Sequence, residues 1–373
     1  MRIGIDARPL SWPSEGGIPR VCSNLVKELS HQTGCHQIVV FSDDHVPEER
    51  RRGFEVEVLS GPMARYVAWD LPAALARHGC DALLSLSPGI CRRTIPTVQL
   101  IHDVYPLFYC QLLPRHFMFT RPYWRNLLAA KLQISMMRWT DGVLAVSEQT
   151  ASDIRAHSTG VGTPIRVARP GVDSGLVGTI TLKEATDHVN QRFGLDSPFF
   201  LYAGAINYQK NVETVLRAFS LFRDQTDSKV ELVLVGQRNW PTAKLDNLQS
   251  EKGVTHLPWV SSYDLRALYT ASAAFVCLSL YEGFGLPVLE AMSCGTPVIV
   301  SQCGSLTEIV GDAGIVVEAM DVLSVVKAMG ELISNPDEHA RRSELSRQRA
   351  TAFSWEDMAH TAFGLIEEVA RLQ

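Results

Sequence analysis

Two carboxylates, Glu282 and Glu290, are separated by seven residues that contain a glycine-rich loop and the start of a predicted helix. Pro287 suits the first position of a helix, so the loop before it should present free backbone N–H groups and a positive dipole end to an anion. Glu282 lies on the loop and Glu290 one turn inside the helix, so we expect them to contact different parts of one ligand. The pattern favours a polar ligand with a phosphate end. The loop consists of Gly283, Phe284, Gly285 and Leu286.

Three other polar segments directly follow predicted strands. They are Gly16-Gly17, His102-Asp103 and Lys210-Asn211. Glu282 has the same position relative to its own strand. In open parallel sheets, ligands bind at the carboxyl ends of the strands. Two such domains with these edges facing each other would gather all four features around one interdomain cleft.

Each of these segments also has a simpler interpretation. Gly16-Gly17 would let the backbone approach a phosphate closely, since glycine has no Cβ, or it is a flexible turn. Lys210 could neutralise a diphosphate leaving group or be a solvated loop lysine. His102 could be functional or a hydrogen-bonded structural histidine, and Asp103 beside it favours function.

Short apolar, β-branched segments alternate with helical patterns along the whole chain. This alternation is typical of parallel sheets with crossover helices, and it predicts an α/β protein with two Rossmann-like doubly wound domains. We expect an N-terminal domain at 1–173, a C-terminal domain at 195–353, and a last helix at 354–373 that packs back onto the first. The predicted strands are Arg2–Asp6, Gln37–Phe41, Phe54–Leu59, Asp81–Leu86, Pro96–Ile101, Gly142–Val146, Ile165–Ala168, Phe199–Ala205, Val230–Val235, Val254–Leu257, Ala274–Leu280, Pro297–Ser301 and Gly314–Val317.

Two serines mark predicted helix starts. Ser354 is followed three residues later by Asp357, and Ser305 by Glu308. A serine hydroxyl and a carboxylate at this spacing can satisfy the first backbone N–H groups of a helix. We therefore interpret Glu308 as a capping residue, with a ligand contact as the alternative.

The composition is that of a globular protein of 373 residues, 46% hydrophobic and 20% charged, which suits two domains. The net charge of −5 argues against nucleic acid as a partner. The eight cysteines are scattered and no His cluster has zinc spacing, so no metal site and no cofactor is expected. Without a signal peptide or a long apolar run, the sequence predicts a cytoplasmic protein.

One segment departs from the average charge. Residues 104–140 contain no acidic residue, five Lys or Arg and eight aromatic residues. Interleaved basic and aromatic side chains suit the anionic inner face of the cytoplasmic membrane, and 113–139 is the predicted region of peripheral contact. The alternative is that the aromatic side chains are core and only the arginines are exposed. The residues concerned include Arg115, Arg121, Arg125, Lys131, Arg138, Phe117, Phe119, Trp124 and Trp139.

These features together resemble the GT-B glycosyltransferases of family 4, which include mannosyltransferases. The similarity is closest between Gly253 and Ser301, where both glutamates and the glycine loop stand at the family's spacing. Other matching segments follow in the family's order over nearly the whole chain. They are Gly16-Gly17-Ile18, His102-Asp103, Ala145-Val146-Ser147-Glu148, Pro170-Gly171-Val172-Asp173 and Lys210-Asn211.

The resemblance implies retaining, metal-independent transfer of a sugar from a nucleotide-diphosphate sugar to an acceptor hydroxyl. It also implies that the domain at 1–173 binds the acceptor and that the domain at 195–353 binds the nucleotide sugar. Absence of an Asp-x-Asp pair agrees with metal independence. By this resemblance, Glu282 and the amides of residues 283–286 would hold the donor sugar, and Glu290 would bind the ribose. Lys210 and the Gly16-Gly17 amides would stabilise the leaving diphosphate.

The resemblance also implies roles for two more residues. Val260 matches the segment that contacts the base through its backbone, and His102 matches the position that approaches the transferred sugar. Retention requires either a protein nucleophile or front-face attack guided by the leaving phosphate, and the family favours the second.

One departure concerns charge on the diphosphate. Many relatives carry an arginine next to the lysine or just after the preceding glycine, where this chain has Gln209 and Ala205. We expect another basic residue, Arg20 or Arg8, to substitute.

The main hypothesis is hexose transfer, with GDP-mannose as the favoured donor, to a glycan or polyprenyl-linked acceptor in bacterial surface polysaccharide synthesis, as for an O-antigen or lipopolysaccharide. GDP- or dTDP-rhamnose and UDP-glucose are alternative donors. A non-catalytic subunit that binds a nucleotide sugar, a GT-B epimerase and a phosphorylase are the competing interpretations.

Overall fold

The computed structural model describes residues 1–12, 16–32, 36–51, 54–87, 94–108, 124, 127–128, 131, 135, 137, 139–157, 162–172, 180–226, 229–238 and 252–372. The chain divides into two compact units. The first comprises Met1–Gly171 together with Phe353–Gln373, and the second comprises Val172–Ala352.

The first unit is built on a parallel sheet. Its strands are β1 (Arg2–Asp6), β2 (Gln37–Ser42), β3 (Val56–Val58), β4 (Ala82–Ser85), β5 (Thr97–Ile101), β6 (Gly142–Ala145) and β7 (Ile165–Val167). They pair in the order β3-β2-β1-β4-β5-β6-β7. Every residue of β4, β5 and β6 is buried, as expected for strands covered on both faces.

Helices of the first unit connect these strands. They are α1 (Gly17–His31), α2 (Glu48–Arg51), α3 (Met63–Arg65), α4 (Leu71–Arg77) and α5 (Glu148–His157). A π-helical turn, Tyr66–Asp70, joins α3 to α4, and its Tyr66 side chain is fully buried.

The second unit is also built on a parallel sheet with connecting helices. Its strands are β8 (Phe199–Ala203), β9 (Glu231–Val235), β10 (Val254–Leu257), β11 (Ala274–Cys277), β12 (Val298–Ser301) and β13 (Ile315–Val317). They pair in the order β10-β9-β8-β11-β12-β13. Its helices are α6 (Leu182–Phe193), α7 (Val212–Thr226), α8 (Ser262–Ala271), α9 (Leu286–Ser293), α10 (Leu306–Val310), α11 (Val322–Ser334) and α12 (Pro336–Ala350).

The last helix, α13 (Trp355–Arg371), belongs to the first unit, where it packs against α1 and the central strands. Ser354 caps it by accepting from the Asp357 N–H at 3.0 Å, which confirms the predicted helix start. Gly142 of β6 lies against Leu365 so closely that a Cβ there would lie 3.0 Å from Leu365 Cγ. This glycine lets α13 lie directly on the sheet.

The predicted fold class is confirmed, since both units are doubly wound α/β domains with parallel sheets. The predicted strands coincide with observed ones, although several observed strands are shorter than predicted. Ala274–Leu280 is an example, because the observed strand ends at Cys277 and the Leu278 carbonyl instead accepts from the Asn211 side chain. Among the described helices, none combines the length and the apolarity needed to cross a bilayer.

Candidate active site

An ion pair between Lys210 and Glu282 lies at the carboxyl edge of the second sheet. Lys210 ends a 3-10 turn, Tyr208–Lys210, that follows β8, and Glu282 lies in the loop after β11. The Lys210 Nζ lies 2.5 Å from Glu282 Oε1, and the Ser279 hydroxyl donates to the same oxygen at 2.7 Å. Glu282 is only 9% exposed, so solvent screens this pair weakly. Two charged residues that are 72 positions apart in the sequence are thus brought into contact.

The loop that carries Lys210 is held against the loop after β11. The Gln209 side-chain amide donates to the Tyr281 carbonyl at 2.9 Å, and the Leu280 N–H donates to the Gln209 carbonyl at 2.8 Å. The Asn207 side chain accepts from the Lys210 N–H at 3.1 Å. Gln209 therefore has a structural role, because it fixes the position of the loop that presents Lys210.

Asn211 fixes the loop that carries Lys210 through hydrogen bonds of its buried side chain. Its backbone has a left-handed φ of 52°, a conformation that asparagine tolerates better than most residues. Its buried side-chain amide donates to the carbonyls of Leu278, at 3.0 Å, and Ala319, at 2.6 Å. Asn211 thus joins the ends of β8, β11 and β13.

The glycine loop lies as predicted, but the helix after it begins one residue earlier than expected. Leu286 is the first residue of α9 and Pro287 the second, and Gly285 is the N-cap residue. Leu286 therefore belongs to the helix and not to the preceding turn. Gly285 has a φ of 107°, and a Cβ there would lie 2.7 Å from Leu306 Cδ2, so the position requires glycine. The N-terminus of α9 provides the positive dipole end that an anion would face.

The loop after β12 supports the Glu282 loop from the other side. The Ser305 hydroxyl donates to the Phe284 carbonyl at 2.5 Å and lies 3.2 Å from the Glu282 carbonyl oxygen. Gly304 has a φ of 58°, and a Cβ there would lie 2.5 Å from that Glu282 oxygen. The predicted capping box of Ser305 and Glu308 is wrong, because the serine hydroxyl donates to these carbonyls and makes no cap hydrogen bond.

We expect Gly304→Ala to lower the free energy of unfolding by roughly 1–3 kcal/mol, because the added Cβ is strained and collides with the Glu282 backbone. Chemical unfolding measures the effect. Gly330→Ala is the matched control, since only Phe222 lies near that helical glycine and alanine should be neutral or stabilising there. A free energy of unfolding that is unchanged by Gly304→Ala would contradict this assignment.

Glu290 lies inside α9, and its side chain is almost completely buried. The Tyr269 hydroxyl donates to Glu290 Oε2 at 3.1 Å, and the Thr296 hydroxyl donates to the Tyr269 carbonyl at 2.6 Å. The carboxylate therefore has a fixed orientation. Sequence reasoning missed Tyr269, Ser279 and Gly304 and assigned Ser305 a different role, because no local pattern marks residues that reach the site from other elements.

The remaining predicted site residues lie at element ends. Val260 follows β10 and precedes Ser261, the N-cap residue of α8. Gly17 is the first residue of α1 and Gly16 is its N-cap residue, with an ordinary φ of −69°. Gly16 therefore does not require glycine for its backbone conformation. Gly16, Gly17 and His102 belong to the first unit, whereas Val260 belongs to the second.

His102 directly follows β5. Its Nε2 lies 3.4 Å from the Leu86 carbonyl oxygen and 3.8 Å from Cys22 Sγ. Since a carbonyl only accepts, the Leu86 contact favours the tautomer with the proton on Nε2, which leaves Nδ1 as an acceptor. Burial lowers the pKa of His102 from 6.5 to about 4, although the Leu86 contact opposes the shift. The ring is therefore neutral at physiological pH.

This pKa predicts a pH dependence of stability. Because the folded chain disfavours the charged ring, the unfolded chain binds a proton more readily between pH 6.5 and about 4. Lowering the pH through this window should cost about 3 kcal/mol of unfolding free energy, while stability above pH 6.5 should be unaffected by this group. Urea unfolding of the unchanged chain and of His102→Asn at pH 7.5 and 4.5 measures the difference. An equal loss in both proteins would rule out His102 as its source.

Arg8 does not lie free to bind a phosphate, so its expected role as a substitute cation is wrong. Its guanidinium is 1% exposed and donates to the Asp6 carboxylate from Nε, at 2.9 Å, and from Nη2, at 2.8 Å. The Tyr66 hydroxyl and the Ser85 hydroxyl donate to the same carboxylate. Burial opposes the charge on Arg8, but Asp6 raises its pKa overall. The cluster is a buried ion pair. The other expected substitute, Arg20 on α1, stays a prediction.

The basic aromatic segment is described only in part. Trp124, Leu128 and Trp139 are more than half exposed, and Lys131 is exposed as well. These aromatic side chains are therefore not core. Arg115, Phe117, Phe119, Arg121, Arg125 and Arg138 lie outside the described residues.

Comparison with known families covers both units. Residues 183–349 match the glycosyl transferases group 1, and residues 15–176 match glycosyltransferase family 4. The O-antigen chain mannosyltransferase B of Escherichia coli is 40% identical over 165 residues, which are 43% of this chain and 43% of that protein. The MMP alpha-(1->4)-mannosyltransferase of Mycolicibacterium hassiacum is 30% identical over 262 residues, 67% of this chain and 61% of that protein. The chain thus spans less than two thirds of the length of either relative.

A solved structure shares the fold over the full chain. It is Anabaena Alr3699/HepE in complex with UDP and glucose, with a TM-score of 0.76 and 18% identity, covering 99% of this chain and 100% of that one.

Proposed function

We propose that this chain, which belongs to the GT-B glycosyltransferases of family 4, transfers a hexose from a nucleotide-diphosphate sugar to a glycan or lipid-linked glycan acceptor. We further propose that configuration is retained and that no bound metal is required. The observation that carries the proposal is the Lys210–Glu282 ion pair beside the N-terminus of α9. This arrangement offers a cation and backbone amides to a phosphate, and a carboxylate to sugar hydroxyls, within one loop cluster.

The donor would be held by residues of the second unit. Its diphosphate would lie at the N-terminus of α9, where residues 283–286 and Lys210 stabilise negative charge. Glu282 would accept hydrogen bonds from the sugar hydroxyls and Glu290 from the ribose hydroxyls. The Val260 backbone would contact the base. The amides of Gly16-Gly17 at the start of α1 would add donors to the phosphate.

Transfer would proceed by front-face attack. The bond between the anomeric carbon and the diphosphate oxygen breaks, and the acceptor oxygen bonds to the same face of that carbon. The acceptor proton goes to an oxygen of the leaving phosphate. His102 is neutral with a pKa of about 4, so it does not supply a proton at neutral pH. Its Nδ1 is suited to accept a hydrogen bond from a hydroxyl of the transferred sugar.

Mannose from GDP-mannose is the proposed donor sugar, because both relatives compared above are named mannosyltransferases. The name of the Escherichia coli relative also supports a role in O-antigen-like surface polysaccharide synthesis. The rhamnose and glucose donors are alternatives that the same site chemistry would accept. No described feature of the site selects a non-catalytic subunit, an epimerase or a phosphorylase.

A lipid-linked acceptor would place the protein at the inner face of the cytoplasmic membrane. The exposed side chains of Trp124, Leu128 and Trp139 support contact with a bilayer interface, within a segment that has only basic charges. Sedimentation with vesicles that contain anionic lipid tests this part. Equal sedimentation with neutral and anionic vesicles, or none at all, would count against it.

The donor is tested first by a thermal-shift panel of GDP, UDP and dTDP with their sugars. A ligand at about 100 times its dissociation constant should stabilise the protein by roughly 2.7 kcal/mol. We then expect slow release of GDP from GDP-mannose, and NMR of the product should show the donor's anomeric configuration. Folded protein that binds none of these nucleotides would refute the proposal.

A further inference from the structure

Lys210 alone leaves the proposed diphosphate site short of positive charge. Its ammonium group is paired with the Glu282 carboxylate at 2.5 Å, so the two side chains together carry no net charge. A leaving diphosphate gains negative charge as its bond to the sugar breaks, and enzymes stabilise it with cationic side chains. The second unit therefore needs another cation near the same sheet edge.

Within the part of the chain that the structure describes, Lys210 after β8 and Arg238 after β9 are basic residues near the carboxyl ends of the second sheet's strands. Arg238 follows β9 and is exposed. It was not singled out from the sequence, because it follows an ordinary strand without a glycine-rich or acidic motif.

The geometry brings the backbone of Arg238 to the start of the Lys210 loop. Ile206 and Arg238 form a parallel bridge beyond the ends of their strands, and the Ile206 N–H donates to the Gln237 carbonyl at 2.9 Å. The pairing of β8 with β9 thus continues for several residues past each strand. Ala205, an uncharged residue, directly precedes Ile206 in the sequence.

Two glycines make this extension possible. Gly204 and Gly236 have φ values of 148° and 138°, and a Cβ on Gly236 would lie 1.9 Å from the Gly204 carbonyl oxygen. The two backbones are therefore in direct contact at this point. Any other residue at 236 would separate the segments and move Arg238 away from the Lys210 loop.

We propose that Arg238 is the second cation of the donor site and binds the diphosphate of the nucleotide sugar. The inference rests on the proposed glycosyltransferase function. A guanidinium can donate two parallel hydrogen bonds to phosphate oxygens and stays charged at any physiological pH. Arg238 takes over the charge that Ala205 and Gln209 do not supply, from the neighbouring strand.

Titration calorimetry of the full chain with guanosine, GMP and GDP tests the assignment. Arg238→Gln should weaken GDP binding by about 10- to 100-fold, weaken GMP binding less, and leave guanosine binding unchanged. Arg238→Lys keeps the charge, and its affinity for GDP should lie between those of Arg238→Gln and the unchanged chain. Arg217→Gln, an exposed arginine on α7 paired with Glu213, is the matched control and should bind all three ligands normally.

The outcomes separate this inference from the proposed function. GDP binding that is equal in Arg238→Gln and the unchanged chain would overturn the role of Arg238 and leave the function standing. An equal loss for guanosine and GDP would also overturn it, since Arg238 would then contact the base. If the unchanged chain binds no nucleotide at all, both proposals fail.

Discussion

Replacement of Lys210 by glutamine should lower kcat/KM for the nucleotide-sugar donor by about 100- to 1,000-fold, the range expected when a group that stabilises a developing anion is removed. The substitution removes the ammonium group that lies 2.5 Å from Glu282 Oε1. Stopped assays of nucleoside-diphosphate release measure the effect. Most of the loss should fall on kcat, because the leaving group gains charge in the transition state.

Two further variants identify the cause of that loss. Lys327→Gln removes an exposed lysine from α11 of the same unit and should leave kcat/KM unchanged. Lys210→Arg keeps a cation beside Glu282 and should recover part of the activity. A loss of less than threefold in Lys210→Gln would show that its charge does not act on the reaction.

The second large effect concerns stability. Asp6→Ala should decrease the free energy of unfolding of the first unit by about 3–5 kcal/mol, because it leaves the buried Arg8 guanidinium without its counterion. The change also removes the acceptor for the Tyr66 and Ser85 hydroxyls. Urea unfolding measured by intrinsic fluorescence should show the transition of the first unit at lower denaturant.

An exposed pair supplies the control for this measurement. Glu368→Gln breaks a pair with Arg166 on the surface of the same unit and should cost less than about 1 kcal/mol. If Asp6→Ala and Glu368→Gln destabilised the protein equally, the buried pair would contribute no more to the free energy of unfolding than the exposed pair. A stability loss confined to Asp6→Ala would establish the cluster as a structural element.

The positions of the central strands could be predicted because these strands are buried on both faces and therefore form short, mostly apolar segments in the sequence. β5 is an example, with Val98, Leu100 and Ile101 inside and turn signals beyond its ends. The start of α9 was placed within one residue, since Pro287 and the glycines act locally on the backbone. Local backbone chemistry is visible in a single sequence.

Contacts between distant segments were not visible in the same way. Lys210 and Glu282 were each singled out, but their ion pair depends on how two loops meet after folding. Ser305 illustrates the reverse error, because its local pattern with Glu308 predicted a cap while the carbonyls of a loop 21 to 23 residues earlier bind its hydroxyl. Arg8 was misjudged because its partner Asp6, two residues away, was treated only as the end of a strand.

The placement of α13 has a consequence for synthesis on the ribosome. Residues such as Met358, Ala362 and Ile366 complete the core of the first unit, yet they are translated only after the whole second unit. Domains usually fold in the order in which they emerge. Here the second unit can fold while the first still exposes the apolar surface that α13 will cover. The first unit therefore begins before the second unit and is completed after it, and a nascent chain that stalls before residue 355 is at risk of aggregation.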